Sequence, residues 1–154
     1  MGRGSRRAPD AAERVRVLVD TSVWADFFNG FPSAEHGALS ALLTTEHELC
    51  TCGVVVAEVF QGLRRDKGRR QLEDLFRDLT FLEPAGIDSG FHAAEVYRSL
   101  RKRGKTIRST IDCLIAVLAE ENDCHVLARD RDLVTILASG LLYVQPWPVA
   151  TPDA

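Results

Sequence analysis

Four carboxylates stand where a carboxylate is either useful or destabilising. Asp20 closes the run Val15-Arg16-Val17-Leu18-Val19 and precedes Thr21-Ser22. Asp130 stands just after His125-Val126-Leu127-Ala128. Both runs read as strands, and open α/β sheets bind ligands outside the carboxyl ends of their strands. If the strands are parallel they share one direction, so both acids reach the same sheet edge. Glu58 lies inside Val54-Val55-Val56-Ala57-Glu58-Val59-Phe60, and Asp112 precedes the apolar stretch Cys113-Leu114-Ile115-Ala116. Acids gathered in one place repel one another, and a divalent cation with oxygen ligands is the usual remedy.

Each acid also has a plainer explanation. Asp20 or Thr21 can cap the next helix, since aspartate is a preferred N-cap. Glu58 can be held by a salt bridge. Without a cation, a partner or a proton, its burial costs roughly several kcal/mol. Asp112 completes Ser109-Thr110-Ile111-Asp112, a capping-box variant that suits a first helical turn. Asp132 can cap, pair with a neighbouring arginine or face water. Asp26, among Trp24, Phe27 and Phe28, reads as a solvated position on the first helix, with a group that supports the site from behind as the alternative.

The elements that must position these groups alternate. A strand over 15–20 leads to a short helix capped by Ser22 or Thr21 and stopped at Asn29-Gly30. Ser33 caps a second helix, and 48–51 form a short strand. Residues 53–63 carry β-branched residues, but Val55, Val59 and Leu63 fall at helical spacing, which predicts a helix. Residues 67–79 have one apolar face built from Leu72, Leu75, Phe76 and Leu79. Phe81-Leu82 is a brief strand. A helix runs from Asp88 to about Arg103, and another from Ser109 or Thr110 to Asn122. The strand 125–128, a helix 131–139 and a last strand 141–144 complete the series. This alternation predicts an α/β fold, a parallel sheet with helices on both faces.

The chain has 154 residues, of which 45% are hydrophobic, enough for one domain with a proper core. Its formal net charge of −3 excludes a polycation, so a nucleic-acid partner needs a local basic patch. The four cysteines lie in apolar segments with no zinc-site spacing and read as reduced core thiols. No run approaches a membrane span. Residues 1–14 read as a flexible basic extension without an apolar signal core, and 148–154 as a tail, so a cytoplasmic protein is expected.

The phrases Leu-Val-Asp-Thr-Ser-Val-Trp-Ala-Asp-Phe-Phe at 18–28, Ala-Glu-Val-Phe-Gln-Gly-Leu at 57–63, Asp-Cys-Leu-Ile-Ala at 112–116 and Leu-Ala-Arg-Asp-Arg-Asp-Leu at 127–133 occur in this order. With them the chain resembles the PIN-domain ribonucleases, most of all the VapC toxins of toxin–antitoxin pairs, over residues 15–147. The resemblance implies a three-layer α/β/α sandwich with a mainly parallel sheet and a Mg²⁺- or Mn²⁺-dependent endoribonuclease. It implies Asp20, Glu58, Asp112 and Asp130 as catalytic and metal-binding residues, supported by Thr21, Ser22, Thr110 and Asp132. The expected substrate is structured RNA, tRNA or rRNA. The expected partner is a VapB-like antitoxin, and a homodimer fits the family. Leu133 stands where the family often has phenylalanine. Hard oxygen donors agree with Mg²⁺ or Mn²⁺. None of the four phrases contains histidine, which disfavours a metal-free histidine mechanism.

Two basic stretches flank the acids. Arg98, Arg101, Lys102, Arg103, Lys105 and Arg108 precede Asp112, and Arg64, Arg65, Lys67, Arg69 and Arg70 follow Glu58. Arg64, Arg101, Arg103 and Arg108 are the candidates for RNA backbone contacts, although solvated helix ends explain such stretches too. Trp24, Phe27, Phe28 and Phe31 crowd one segment, part core and part candidate antitoxin groove. The alternative function is a catalytically silent PIN-like RNA-binding or regulatory module. A phospho-aspartyl enzyme fits less well, because Ser22 occupies the place of its second aspartate.

Overall fold

The computed structural model describes residues 13–150. The basic extension and the tail read from the sequence therefore lie largely outside the described residues. In chain order the elements are β1 (Arg16–Val19), α1 (Thr21–Asn29), α2 (Ala34–Leu42), β2 (Glu48–Cys52), α3 (Gly53–Gln61), α4 (Arg69–Asp78), β3 (Thr80–Leu82), α5 (Ile87–Lys102), α6 (Thr110–Glu121), β4 (Cys124–Leu127), α7 (Arg131–Ala138) and β5 (Gln145–Pro146).

The five strands form one sheet in the order β3-β2-β1-β4-β5, and every pairing is parallel. The chain winds outward from β1 through β2 to β3, then returns across the sheet to β4. Right-handed crossovers send the helices of the two directions to opposite faces. The contacts agree: α1 packs with α2 and α3, while α6 packs with α5 and α7. The result is a three-layer α/β/α sandwich. Strand order reverses between β1 and β4, the switch point where doubly wound sheets open a crevice at the carboxyl ends.

Burial explains the element types. Val17, Leu18 and Val19 are fully enclosed, as the central strand of a sheet covered on both faces must be. The ambiguous run at 53–61 is helical, with Val55 and Val59 inward at i, i+4. In α6, residues Ile115–Ala119 are all buried, so this helix is covered nearly all round. Trp24 is fully buried, stacked on Phe28 and tilted against Phe76 of α4. Phe27 and Phe28 are half-buried and Phe31 is 50% exposed, so the aromatic segment divides between core and surface. The four cysteines are free and buried.

The last strand differs from its sequence expectation. Residues 141–144 form no strand, and β5 is Gln145–Pro146. After Gly140, in the left-handed region at φ 75°, the chain must travel from the end of α7 to the sheet edge. Leu142 and Val144 are buried there as plugs rather than as one face of a strand. Pro146 is tolerated because β5 is an edge strand, where a missing N–H costs no ladder bond.

Candidate active site and metal centre

The carboxyl ends of β1 and β4 are tied together by Ser22. Its hydroxyl donates to Asp20 Oδ2 at 2.7 Å and accepts from the backbone N–H groups of Arg129 at 3.1 Å and Asp130 at 3.2 Å. The backbone N–H of Asp20 donates to the carbonyl of Leu127 at 2.9 Å, extending the β1/β4 ladder by one step. Asp20, rather than Thr21 or Ser22, is the N-cap of α1, and the same Oδ2 accepts from the Ser22 N–H. Asp130 plays the same part for α7, its Oδ1 accepting from the N–H groups of Asp132 and Leu133. Capping holds each side chain by one oxygen and leaves the other oxygen free of those bonds.

Glu58 enters from α3. It is half-buried, and its Oε2 accepts a 2.6 Å hydrogen bond from Thr21 Oγ1. Asp112 enters from the first turn of α6, whose N-cap is Ser109. Asp132 lies in the first turn of α7 and is buried. Its Oδ2 accepts from both the backbone N–H and Nε of Arg108, at 3.0 and 2.9 Å.

The tightest acidic group is Asp112, Asp130 and Asp132, whose ligand atoms all lie within 4.8 Å of one another. Asp20 and Glu58 border this trio: both act electrostatically on Asp112. Asp132 is thus a member of the trio, and its burial means that it does not face water.

The electrostatics record the crowding. Burial, then the charges of Asp130, Asp20, Asp132 and Glu58, push the Asp112 carboxyl up to about 7. Burial also raises Asp20, partly offset by its bonds to Ser22. Asp132 moves the other way, because the hydrogen bond from Arg108 favours its charged form. Carboxylates crowded this way, with oxygen donors only, fit a hard divalent cation.

The other sequence candidates spread out. Thr110 is exposed at the start of α6. Arg101 is exposed in the last turn of α5, and Arg103 just beyond it donates to the carbonyl of Ser139 at 2.9 Å. Arg64 lines an open cavity of about 680 Å³ with Phe28, Leu63, Lys67, Leu72 and Leu75. Arg108 lines another of about 510 Å³ with Lys105, Thr106, Arg131 and Asp132. His47 and His125 pack on Trp147 toward the amino ends of β2 and β4, away from the acids.

Asp26 corrects its sequence reading. It is buried, not solvated, and forms a two-pronged pair with Arg129, Nε to Oδ2 at 2.6 Å and Nη2 to Oδ1 at 2.9 Å. Ser33 Oγ also donates to Oδ2 at 2.8 Å, and the Arg129 guanidinium lies 4.9 Å from the Phe31 ring centre. The residue before Asp130 is thereby anchored to α1. Its partner is 103 positions away, so no local signal could have found the pair.

The PIN domain model matches residues 17–136. The chain belongs to the PIN-domain family. Within that family it is 32% identical over 121 residues to a VapC ribonuclease of Mycobacterium bovis and to ribonuclease VapC11 of Mycobacterium tuberculosis, covering 78% of this chain and 90% of each relative. This PIN domain stands among the VapC ribonucleases. Its fold is shared with VapBC2 from Rickettsia felis, solved bound to a DNA fragment from its promoter, at TM-score 0.63 and 18% identity over 87% of this chain and 100% of that one. It is shared too with Mycobacterium tuberculosis VapC20, described as a toxin cleaving the sarcin–ricin loop, at TM-score 0.53 and 21% identity over 84% and 99%. No helix among the described residues is long and apolar enough to cross a membrane.

Proposed function

We propose that this PIN domain is a divalent-metal-dependent endoribonuclease, the toxin of a toxin–antitoxin pair, cutting structured RNA. The observation that carries this reading is the crowding of Asp20, Glu58, Asp112, Asp130 and Asp132 around one sheet edge, with Asp112 held at about 7. Among the described residues Arg108 pairs with Asp132 and approaches Asp130, but no ion pair reaches Asp20, Glu58 or Asp112, and a purely structural cluster has no reason to keep such acids together. The kinship with VapC ribonucleases supports RNA cleavage as the chemistry that such a cluster would serve.

Asp20, Glu58, Asp112 and Asp130 are the residues that would hold Mg²⁺ or Mn²⁺. When bound, the ion supplies a water of lowered pKa and charge neutralisation at the scissile phosphate. Ser22 and Thr21 fix the Asp20 and Glu58 carboxylates, and capping of α7 fixes the Asp130 carboxylate through its Oδ1. Asp112, whose carboxyl is pushed up to about 7 by burial and the neighbouring acids, would bind the ion in its charged form. Arg101, Arg103, Arg108 and Arg64 supply backbone contacts that bring RNA to an acidic centre.

The cytoplasmic VapB-like antitoxin expected for the family would find an apolar floor at Phe28, Leu63, Leu72 and Leu75, rimmed by Arg64 and Lys67. That rim suits an amphipathic segment with acidic flanks.

The test is direct. Purified protein with Mn²⁺ or Mg²⁺ is incubated with tRNA and with rRNA fragments, and new RNA ends are sequenced. Metal-dependent cuts that disappear in Asp20→Asn and with EDTA are expected. Cuts that survive both would overturn the mechanism. RNA binding without any cut would favour the silent-module reading.

A further inference from the structure

Arg108 is placed unlike the other basic residues near the site. Its backbone N–H and Nε both hold Asp132 Oδ2, and its Nη2 stands 3.9 Å from Asp130 Oδ2. The guanidinium therefore reaches two of the three carboxylates that make up the tightest group. It arrives from the segment just before α6, so the helix carrying Asp112 and the helix capped by Asp130 are clamped by one side chain. Yet the side chain is 73% exposed, so part of the guanidinium faces solvent at the rim of the cavity lined by Lys105, Thr106 and Arg131.

We propose that Arg108 takes the place of a second cation: it neutralises the Asp130–Asp132 side of the cluster, limits the site to a single divalent ion, and presents its remaining N–H groups to the scissile phosphate. This rests on the metal-nuclease reading above. A two-ion site needs oxygens free on both sides of the shared carboxylates. Here Asp132 Oδ2 is already saturated by Arg108, and a second divalent ion beside a guanidinium would be repelled. A planar guanidinium can bind a carboxylate along one edge and a phosphate along another, which an ammonium cannot. Arg108 is thus assigned as a positioning residue for the carboxylates and as a contact for the phosphate.

The test is a Mn²⁺ titration of the full chain by calorimetry, with electron paramagnetic resonance of bound Mn²⁺. About one Mn²⁺ per wild-type chain is expected, and about two per chain in Arg108→Gln, where the Asp130–Asp132 side is vacated. Arg108→Lys keeps the charge and should stay near one ion, while its KM for a hairpin RNA rises. Two ions in the wild type overturn the inference even if Arg108→Gln fails to fold. A single ion in Arg108→Gln overturns it as well. A wild type that binds no Mn²⁺ and cuts no RNA overturns the nuclease reading itself, whereas one that cuts RNA with two ions overturns this inference alone.

Discussion

Thr21 Oγ1 donates a 2.6 Å hydrogen bond to Glu58 Oε2, joining the first residue of α1 to the middle of α3. This bond spends one Glu58 oxygen and aims the other. Positioning groups of this kind typically contribute 10–100-fold to metal affinity or activity. Thr21→Val should lower RNA cleavage by roughly 10-fold or more and raise the Mn²⁺ needed for half-maximal rate, with little change in Tm. Unaltered Mn²⁺ dependence would remove Thr21 from the site.

Asp20→Asn separates capping from chemistry. Asparagine caps helices about as well as aspartate, so α1 should keep its start. The variant also removes one charge from a repelling cluster. The metal-free protein should therefore melt at the same temperature or higher, while cleavage falls more than ~100-fold. A lowered melting temperature would show that Asp20 serves the fold first.

Asp112 predicts a pH dependence with a definite sign. Its carboxyl is raised to about 7 in the folded chain, from 3.8 for the ordinary group. Between those values the folded state holds a proton that the unfolded state has lost, so stability falls as pH rises through this window. Above about 7 both states are ionised and the loss is complete. Allowing for solvent screening of a half-buried group, the metal-free protein should lose about 1–2 kcal/mol, a few degrees of Tm, between roughly pH 5 and 8. Asp112→Asn should flatten this slope. Mn²⁺ should raise Tm more at pH 8 than at pH 5, since binding displaces the proton. Thermal melts at the two pH values decide it.

The Asp26–Arg129 pair should matter for stability. Asp26 is buried, so removing its cation leaves an uncompensated charge. Arg129→Ala should destabilise by about 2–4 kcal/mol in urea unfolding. The Arg129→Ala/Asp26→Ala double variant should lose less than the sum of the single losses. Additive losses would mean the two side chains act independently.

Arg101 is exposed and free to meet RNA phosphate. Arg101→Ala should weaken RNA binding for all sequences alike and reduce the slope of log K against log salt by about one. Arg103 is a less clean probe, because its bond to the Ser139 carbonyl also closes the end of α5 onto α7. An unchanged salt slope in Arg101→Ala would place the RNA path elsewhere.

Local pattern made much of the fold legible. The apolar runs ending at Asp20 and near Asp130, the helical spacing of Val55 and Val59, and the all-apolar α6 each reflect burial on one or both sides, and burial is written into residue type. Leu141–Val144 misled because an irregular connection with Leu142 and Val144 buried and Tyr143 exposed alternates as a strand does. Asp26 misled because a carboxylate on a helix normally faces water, and the cation that permits its burial comes from across the sheet.

Residue type and order alone place acids at the ends of buried strands, imply a parallel sheet that gathers those ends at one edge, and make a cation a suitable partner for the result. The membership and the state of the cluster came from folding. It set Asp132 beside Asp112 and Asp130 and bonded it to Arg108, gave Ser22 the bonds that lock β1 to β4, and left Asp112 among four other acids with its proton held to about 7. These are consequences of distance between residues far apart in the chain, and Coulomb energies and hydrogen bonds depend on that distance rather than on sequence spacing.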